Sequence, residues 1–226
     1  MALTLVAIEA ALHTVGLTPR GAFHPVPNDG VPALPDGRPS GTLVLAGNVD
    51  GSLWQTFSRG RKAVDEPNAL DSWTRRVLGP LAVELGGHAL FPFGGPPHLP
   101  FQRWARRAEP VHPSPMGPLI HPDHGLWHAY RGALAFPEPL ELPPRQERPS
   151  PCETCADKPC LTACPVGALT RGGYDVPACA AHIASPAGAD CMAHACRARR
   201  ACPIARDQAY GPEQSRFHME AFLRAR

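Results

Sequence analysis

Eight cysteines, all in the last third of the chain, are the residues of this sequence best suited to chemistry. They form two sets of four, and each set ends in a Cys-Pro pair. The first set is Cys152, Cys155, Cys160 and Cys164, and the second is Cys179, Cys191, Cys196 and Cys202. Thiolates that converge from a tight loop are the ligands of a cubane of iron and sulfide. The pattern therefore predicts two [4Fe-4S] clusters with no cysteine left over.

The Cys-Pro cysteines suggest how the ligands divide. In the bacterial two-cluster pattern the cysteine before proline ligates the other cluster. We therefore predict that Cys202 joins Cys152, Cys155 and Cys160, and that Cys164 joins Cys179, Cys191 and Cys196. The C-x4-C step from Cys155 to Cys160 and the C-x5-C step from Cys196 to Cys202 are longer than usual ferredoxin spacings, which leaves this partition open.

Zinc and disulfides are the two alternatives for these cysteines. Zinc sites also use C-x2-C pairs, but they do not call for proline after the fourth cysteine of each set. Disulfides are typical of oxidising compartments and of small secreted scaffolds, whereas the first two-thirds of this chain contain no cysteine. Iron–sulfur ligation is favoured over both.

The length and the net charge of the chain limit which partners we expect it to bind. The chain has 226 residues and a formal charge of +2, which provides no strong electrostatic case for nucleic acid. No apolar run approaches the ~20 residues that span a bilayer. The apolar start contains Glu9 and lacks the basic beginning of a signal peptide. We therefore expect a cytoplasmic protein with neither a nucleic-acid nor a membrane partner.

The residues upstream of the cysteines alternate between helical and strand patterns. Helices are predicted over 3–16, from 51, over 72–86 and over 99–107, and strands at 21–25, 42–47, 87–91 and 131–136. This order predicts an α/β fold with a partly open sheet. Residues 138–151 are rich in proline and are predicted to be a semi-rigid linker. The predicted domains are therefore 1–137 and 152–226.

Part of the first domain resembles the cobalamin-processing family whose human member is the cobalamin C disease protein. The matching features are an aromatic-Gln-Arg helix, an Ile-His-Pro turn, a Gly-x-Trp step and an Arg-Gly pair before a strand. This resemblance implies a nitroreductase-like fold that binds a corrinoid, and such folds often form homodimers. The implied cofactor-binding residues are Phe101, Gln102, Arg103, Trp104, Ile120, His121, Gly125, Trp127 and Arg131.

The last third resembles the double-cluster domain of epoxyqueuosine reductases and reductive dehalogenases, which is a smaller, bacterial ferredoxin-like unit. There too a C-x2-C run ending in Cys-Pro precedes a lone cysteine and a second group ending in Cys-Pro. Those enzymes combine their clusters with a cobalamin bound on a nitroreductase-like domain. Both halves of the chain thus imply corrinoid chemistry.

Several other side chains have two interpretations. His98, His112, His121, His124 and His128 could form a metal site or axial ligands, or they could be ordinary loop and core histidines. Arg103, Arg106 and Arg107 could contact a phosphate or a carboxamide, or form a solvated helix face. Arg197, Arg199 and Arg200 could offset the negative charge of a cluster, or form a docking patch for a redox partner.

We therefore predict an oxidoreductase-type protein that takes electrons from a reductase or ferredoxin, passes them through two clusters to the cobalt of a corrinoid, and reductively removes its upper ligand. One alternative is a cobalamin-dependent reductase acting on a second substrate, which needs a proton donor; Tyr130 is the candidate. The other is a ferredoxin-like electron carrier without a corrinoid.

Overall fold

The computed structural model describes residues 3–60 and 68–226. The chain divides into two compact units. We call Met1–Pro110 with Ala129–Glu147 the N-terminal unit, and Val111–His128 with Arg148–Arg226 the cysteine unit. Both contain helices and strands, which confirms the predicted α/β class. No helix in the described ranges combines the length and the apolar character that a membrane span requires.

The N-terminal unit is built on a four-stranded sheet with helices packed against its strands. Its elements are α1 (Leu5–Thr14), β1 (Thr18–Phe23), β2 (Thr42–Val49), α2 (Ser52–Gly60), α3 (Ala69–Glu84), β3 (His88–Leu90), α4 (Phe101–Ala108) and β6 (His128–Phe136). Among the described residues the strands run in the order β1-β2-β6-β3, and β1 with β2 and β3 with β6 are antiparallel pairs. The predicted helices and strands are thus present, with bounds shifted by a few residues.

The apolar strand β2 forms the centre of this unit. Leu43 to Ala46 are buried on both faces of the sheet, as a continuous apolar run predicts. At Gly47 an added Cβ would collide with the carbonyl oxygen of Ala129, so only glycine permits this approach of β2 to β6. Helix α3 continues through Pro80 and buries Trp73, Leu78 and Leu81. In this turn Leu78 is buried and the adjacent Val77 is only partly buried.

A buried ion pair links β1 to the end of α4 within the N-terminal unit. The Arg20 side chain is 1% exposed, and its Nη2 lies 2.8 Å from Oε2 of Glu109. Arg20 also donates to the carbonyl oxygen of Asn48, and the Tyr130 hydroxyl donates to Glu109. A buried charge is tolerated only when it is paired and hydrogen-bonded. This network therefore explains how the charged side chain of Arg20 can be buried inside the N-terminal unit.

The cysteine unit consists of short elements joined by turns. They are β4 (His112–Pro113), β5 (Leu119–Ile120), α5 (Pro151–Thr154), α6 (Pro159–Thr162), β7 (Leu169–Thr170), β8 (Gly173–Tyr174), α7 (Val176–Ala184), α8 (Ala189–His194), α9 (Arg197–Ala201) and α10 (Pro212–Arg224). Helix α10 packs on α7 and α8, and α6 packs on α9. Residues 111–128, which were expected in the first domain, pack within this unit. The domain bounds 1–137 and 152–226 stay a prediction.

Candidate metal centre

The first of two thiol-lined concavities in the cysteine unit is formed by Cys152, Cys155, Cys160 and Cys202. The space within it, open solvent included, is about 390 Å³. Lys158 shapes its rim: in a left-handed conformation (φ 39°), its ammonium donates to the carbonyl oxygens of Cys152 at 2.6 Å and Cys155 at 3.0 Å. These two bonds hold both carbonyl groups of the C-x2-C turn on one ammonium group. We call this concavity the first pocket.

The second pocket is a concavity lined by the other four thiols, Cys164, Cys179, Cys191 and Cys196. The backbone N–H of Ala168 donates to the Cys164 sulfur at 3.3 Å. Helix α7 carries Cys179 and helix α8 carries Cys191, while Cys196 caps the start of α9. Val166, His182, Arg197 and Met219 complete the wall.

Two short helices produce the crossed grouping. Helix α6 has Cys160 inside it and Cys164 just beyond its end, and helix α9 lies between Cys196 and Cys202. Because the two helices pack against each other, each contributes one thiol to each pocket. The structure therefore groups the thiols as the crossing pattern predicts, and the long C-x5-C step accommodates the whole of α9.

The thiols of each pocket oppose one another's ionisation. Burial raises the pKa of Cys152 and Cys160, and the neighbouring Cys202 sulfur raises both further. In the second pocket burial likewise raises the pKa of Cys179 and Cys196. Four thiolates in such a pocket require a cationic group to offset their charge, and metal binding there must release protons. The donor set fits an iron–sulfur cluster in each pocket.

Residues 111–128 cover the first pocket. Ile120 and Leu126 are buried against Cys202, and Met116 and Ile204 pack around them. Gly125 adopts φ +53°, and an added Cβ would collide with the carbonyl oxygen of Ile204. Gly125 thus has a role in packing, since the loop touches the backbone just after the last cysteine.

Arg199 attaches this loop to helix α9. Its guanidinium carbon lies 4.2 Å from the ring centre of Trp127 and 4.6 Å from that of Tyr210. Its Nε donates to the carbonyl oxygen of Leu126 at 3.1 Å. Arg197 and Arg200 instead pair with the carboxylate of Asp190. The three arginines are therefore engaged within the cysteine unit.

The nine residues implied as corrinoid ligands divide between the two units. Phe101, Gln102, Arg103, Trp104 and Arg131 belong to the N-terminal unit, and Ile120, His121, Gly125 and Trp127 belong to the cysteine unit. Trp104 is completely buried with its indole N–H on the carbonyl oxygen of Asp29, and Trp127 is 1% exposed. Arg131 pairs with Asp71. Ile120 lines the first pocket, and the role of all nine residues in corrinoid binding stays a prediction.

His121 and its neighbours organise the loop. The Nδ1 atom of His121 accepts from the backbone N–H of Asp123 at 3.0 Å, and His121 and Gly125 exchange two backbone hydrogen bonds. His124 contacts Gln208, while His112 and His128 contact the carbonyl oxygens of Arg148 and Leu119. Within the described ranges, no three His, Cys, Asp or Glu side chains converge on one point as ligands of a single ion.

Two further groups have defined positions in the N-terminal unit. Burial, with the nearby Glu109 carboxylate, raises the pKa of Tyr130 far above its usual value, which makes it a poor proton donor. Arg107 pairs with Asp29, and Arg103 donates to the carbonyl oxygen of Asn28. These two arginines hold the turn at 27–29 onto α4.

Sequence reasoning missed three side chains near the thiols: Lys158, Tyr174 and His182. Lys158 precedes the proline that begins α6, and the last two flank Cys179 at separations of five and three residues. His182 could have been found from the sequence, because a spacing of three residues in a helix places it on the same face of α7 as Cys179.

No family model matches the sequence, and the search of curated proteins found no match. Solved structures of epoxyqueuosine reductase share the fold of this chain. One, in complex with a tRNA-Tyr epoxyqueuosine-modified tRNA stem loop, is 14% identical with a TM-score of 0.51 and covers 92% of this chain and 67% of that chain. The Streptococcus thermophilus structure is 15% identical with a TM-score of 0.50, and the match covers 89% of this chain and 66% of that chain.

The Bacillus subtilis structure, at 15% identity and a TM-score of 0.46, covers 75% of this chain and 50% of its own. The chain thus spans about half to two-thirds of the length of the epoxyqueuosine reductases it matches.

These matches correct one prediction. We expected no nucleic-acid partner from the overall charge, but a protein of the same fold has been solved with a tRNA stem loop, so that exclusion is wrong. Net charge averages over the whole surface, whereas phosphate contacts need only a local basic surface. The part of the predicted resemblance that names epoxyqueuosine reductases is supported, and the chain has an α/β fold similar to theirs.

Proposed function

We propose that the protein is an iron–sulfur redox protein that carries two [4Fe-4S] clusters and transfers electrons through them. The observation that carries the proposal is the gathering of all eight cysteines into two pockets of four thiols each. The first cluster would be held by Cys152, Cys155, Cys160 and Cys202, and the second by Cys164, Cys179, Cys191 and Cys196. Such thiolate-ligated clusters supply one-electron chemistry. A reducing compartment such as the cytoplasm keeps these thiols available.

We further propose that the electron acceptor is the cobalt of a corrinoid, whose reduction would release its upper ligand. The support is the fold shared with epoxyqueuosine reductases together with two four-thiol pockets in the same chain. The proposal assigns the corrinoid to no particular pocket. A second candidate is a reductase that acts on a nucleic-acid substrate, which the neighbour solved with a tRNA stem loop favours.

The first test is anaerobic purification followed by iron and sulfide analysis. We expect about eight irons and eight sulfides per chain and an electron paramagnetic resonance (EPR) signal after reduction with dithionite. Stoichiometric zinc without sulfide would refute the cluster proposal.

The second test mixes the reduced protein with hydroxocobalamin or an alkylcobalamin and follows the cobalt absorption spectrum. Reduction of cobalt, or loss of the alkyl ligand, supports the corrinoid acceptor. The matched control is the Cys164→Ala, Cys202→Ala double variant, which lacks one ligand in each pocket. Equal rates with this control, or no spectral change with the intact protein, would refute the corrinoid acceptor.

A further inference from the structure

A histidine that lines the second pocket has a buried ring nitrogen. His182 lies one helical turn after Cys179 on α7 and lines the same concavity as the four thiols. Its Nε2 atom is buried, and it has no hydrogen-bond partner among residues 3–60 and 68–226. A buried polar atom left unpaired costs roughly 1–3 kcal/mol. The geometry therefore indicates that its partner is the group bound by the pocket.

A tyrosine hydroxyl approaches the same pocket from another element. The side chain of Tyr174, in β8, lies beside the Cys179 sulfur and is 44% exposed. Because a phenol O–H can donate to a thiolate, this contact remains available when the sulfur ligates iron.

The first pocket offers an internal comparison. Two of the side chains that line it, Ser114 and Lys158, are polar. The Ser114 hydroxyl donates to the carbonyl oxygen of Pro118, and the Lys158 ammonium donates to two carbonyl oxygens. Both groups therefore already have acceptors outside the thiols. The side chains against the sulfurs are apolar, among them Met116, Ile120 and Leu126.

Building on the proposed function, we propose that His182 Nε2–H and the Tyr174 hydroxyl donate hydrogen bonds to the sulfurs of the second cluster and raise its reduction potential. Reduction adds negative charge to the cluster, and hydrogen bonds to its sulfurs stabilise that charge more in the reduced state than in the oxidised state. The donor role requires the proton of the imidazole to be on Nε2.

The test is an EPR-monitored redox titration of the anaerobic full-length protein. We expect His182→Leu to lower the reduced-to-oxidised ratio of the second cluster about tenfold at a fixed potential, a negative shift of ~59 mV for a one-electron couple. Tyr174→Phe should shift the potential in the same direction. His182→Gln, which keeps an N–H donor, should recover part of the shift. His194→Leu, which removes an exposed histidine of α8 that does not line the pocket, is the matched control and should leave the potential unchanged.

The first cluster should keep its potential in all four variants, which separates donor loss from general loosening of the unit. Full iron content with unchanged potentials in His182→Leu and Tyr174→Phe would overturn the inference while leaving the proposed function intact. Absence of clusters from the wild type would instead overturn the proposed function. If His182→Leu fails to assemble the second cluster, the inference is tested with Tyr174→Phe and the wild type instead. The wild type must then show an exchangeable proton coupled to the second cluster, detected by pulsed EPR in D₂O.

Discussion

The packing of the 111–128 loop on the first pocket can be tested at Gly125. A Gly125→Ala substitution places a Cβ on a residue with φ +53° and drives it into the carbonyl oxygen of Ile204, with the carbonyl carbon at 3.1 Å. The positive φ costs about 1–2 kcal/mol for an L-residue. The steric overlap with a backbone group that cannot rotate away adds about 1–3 kcal/mol. The total loss of stability should be about 2–5 kcal/mol.

Gly117 in the same loop provides the matched control. It has φ +94°, and an added Cβ would meet no atom within 4 Å. Gly117→Ala should therefore show the backbone cost alone, about 1–2 kcal/mol. The difference between the two variants isolates the contact with Ile204, which lies two residues after Cys202.

The measurement is the melting temperature of each cluster-loaded variant under anaerobic conditions, together with its iron content. For a unit of roughly this size, 1 kcal/mol corresponds to about 4–8 °C. We expect Gly125→Ala to melt several degrees below Gly117→Ala and to lose iron from the first cluster before the second. Equal melting temperatures and equal iron retention in the two variants would show that Gly125 is not packed against the backbone of Ile204.

Three other predictions concern the ligands, the buried ion pair and the thiols. Cys202→Ala should remove the first cluster and leave about four irons per chain; loss of the EPR signal of the second cluster alone would show that the crossed grouping is wrong. Glu109→Gln removes the carboxylate that neutralises the buried Arg20 and should destabilise the N-terminal unit by about 3 kcal/mol, measured by denaturant unfolding; a change below about 0.5 kcal/mol would contradict the pairing. Burial raises the pKa of several thiols above their usual 9.0, so the folded apo-protein keeps protons that the unfolded chain releases. Its melting temperature should therefore fall as the pH rises above about 9, and a flat pH profile would contradict this.

Much of the N-terminal unit could be predicted from local patterns. The apolar run of β2 and the periodicity of α3 indicated their secondary structure, because burial on one or both faces leaves a repeat in the sequence. The side-chain partners could not be predicted in this way. Arg20 pairs with Glu109 across 89 positions of the chain, and no periodic pattern encodes such a contact.

The environments of the tryptophans in residues 99–131 also could not be predicted from the sequence. Trp104 and Trp127 could equally have faced a flat ligand or filled a core, since an indole suits both environments. The structure buries both, Trp104 beneath the turn at 27–29 and Trp127 against the Arg199 guanidinium. Composition does not distinguish these outcomes, because the deciding contacts come from residues about 70 positions away.

The eight thiols and the two Cys-Pro pairs are visible in the sequence, and they suggested a crossed grouping that the long C-x4-C and C-x5-C steps left open. The packing of α6 on α9 in the folded chain brings one thiol from each helix to each pocket. The tertiary structure alone decided that residues 111–128 pack with the cysteines and that His182 and Tyr174 approach the second pocket. Those outcomes depend on which apolar surfaces bury each other, and burial is a property of the folded chain as a whole.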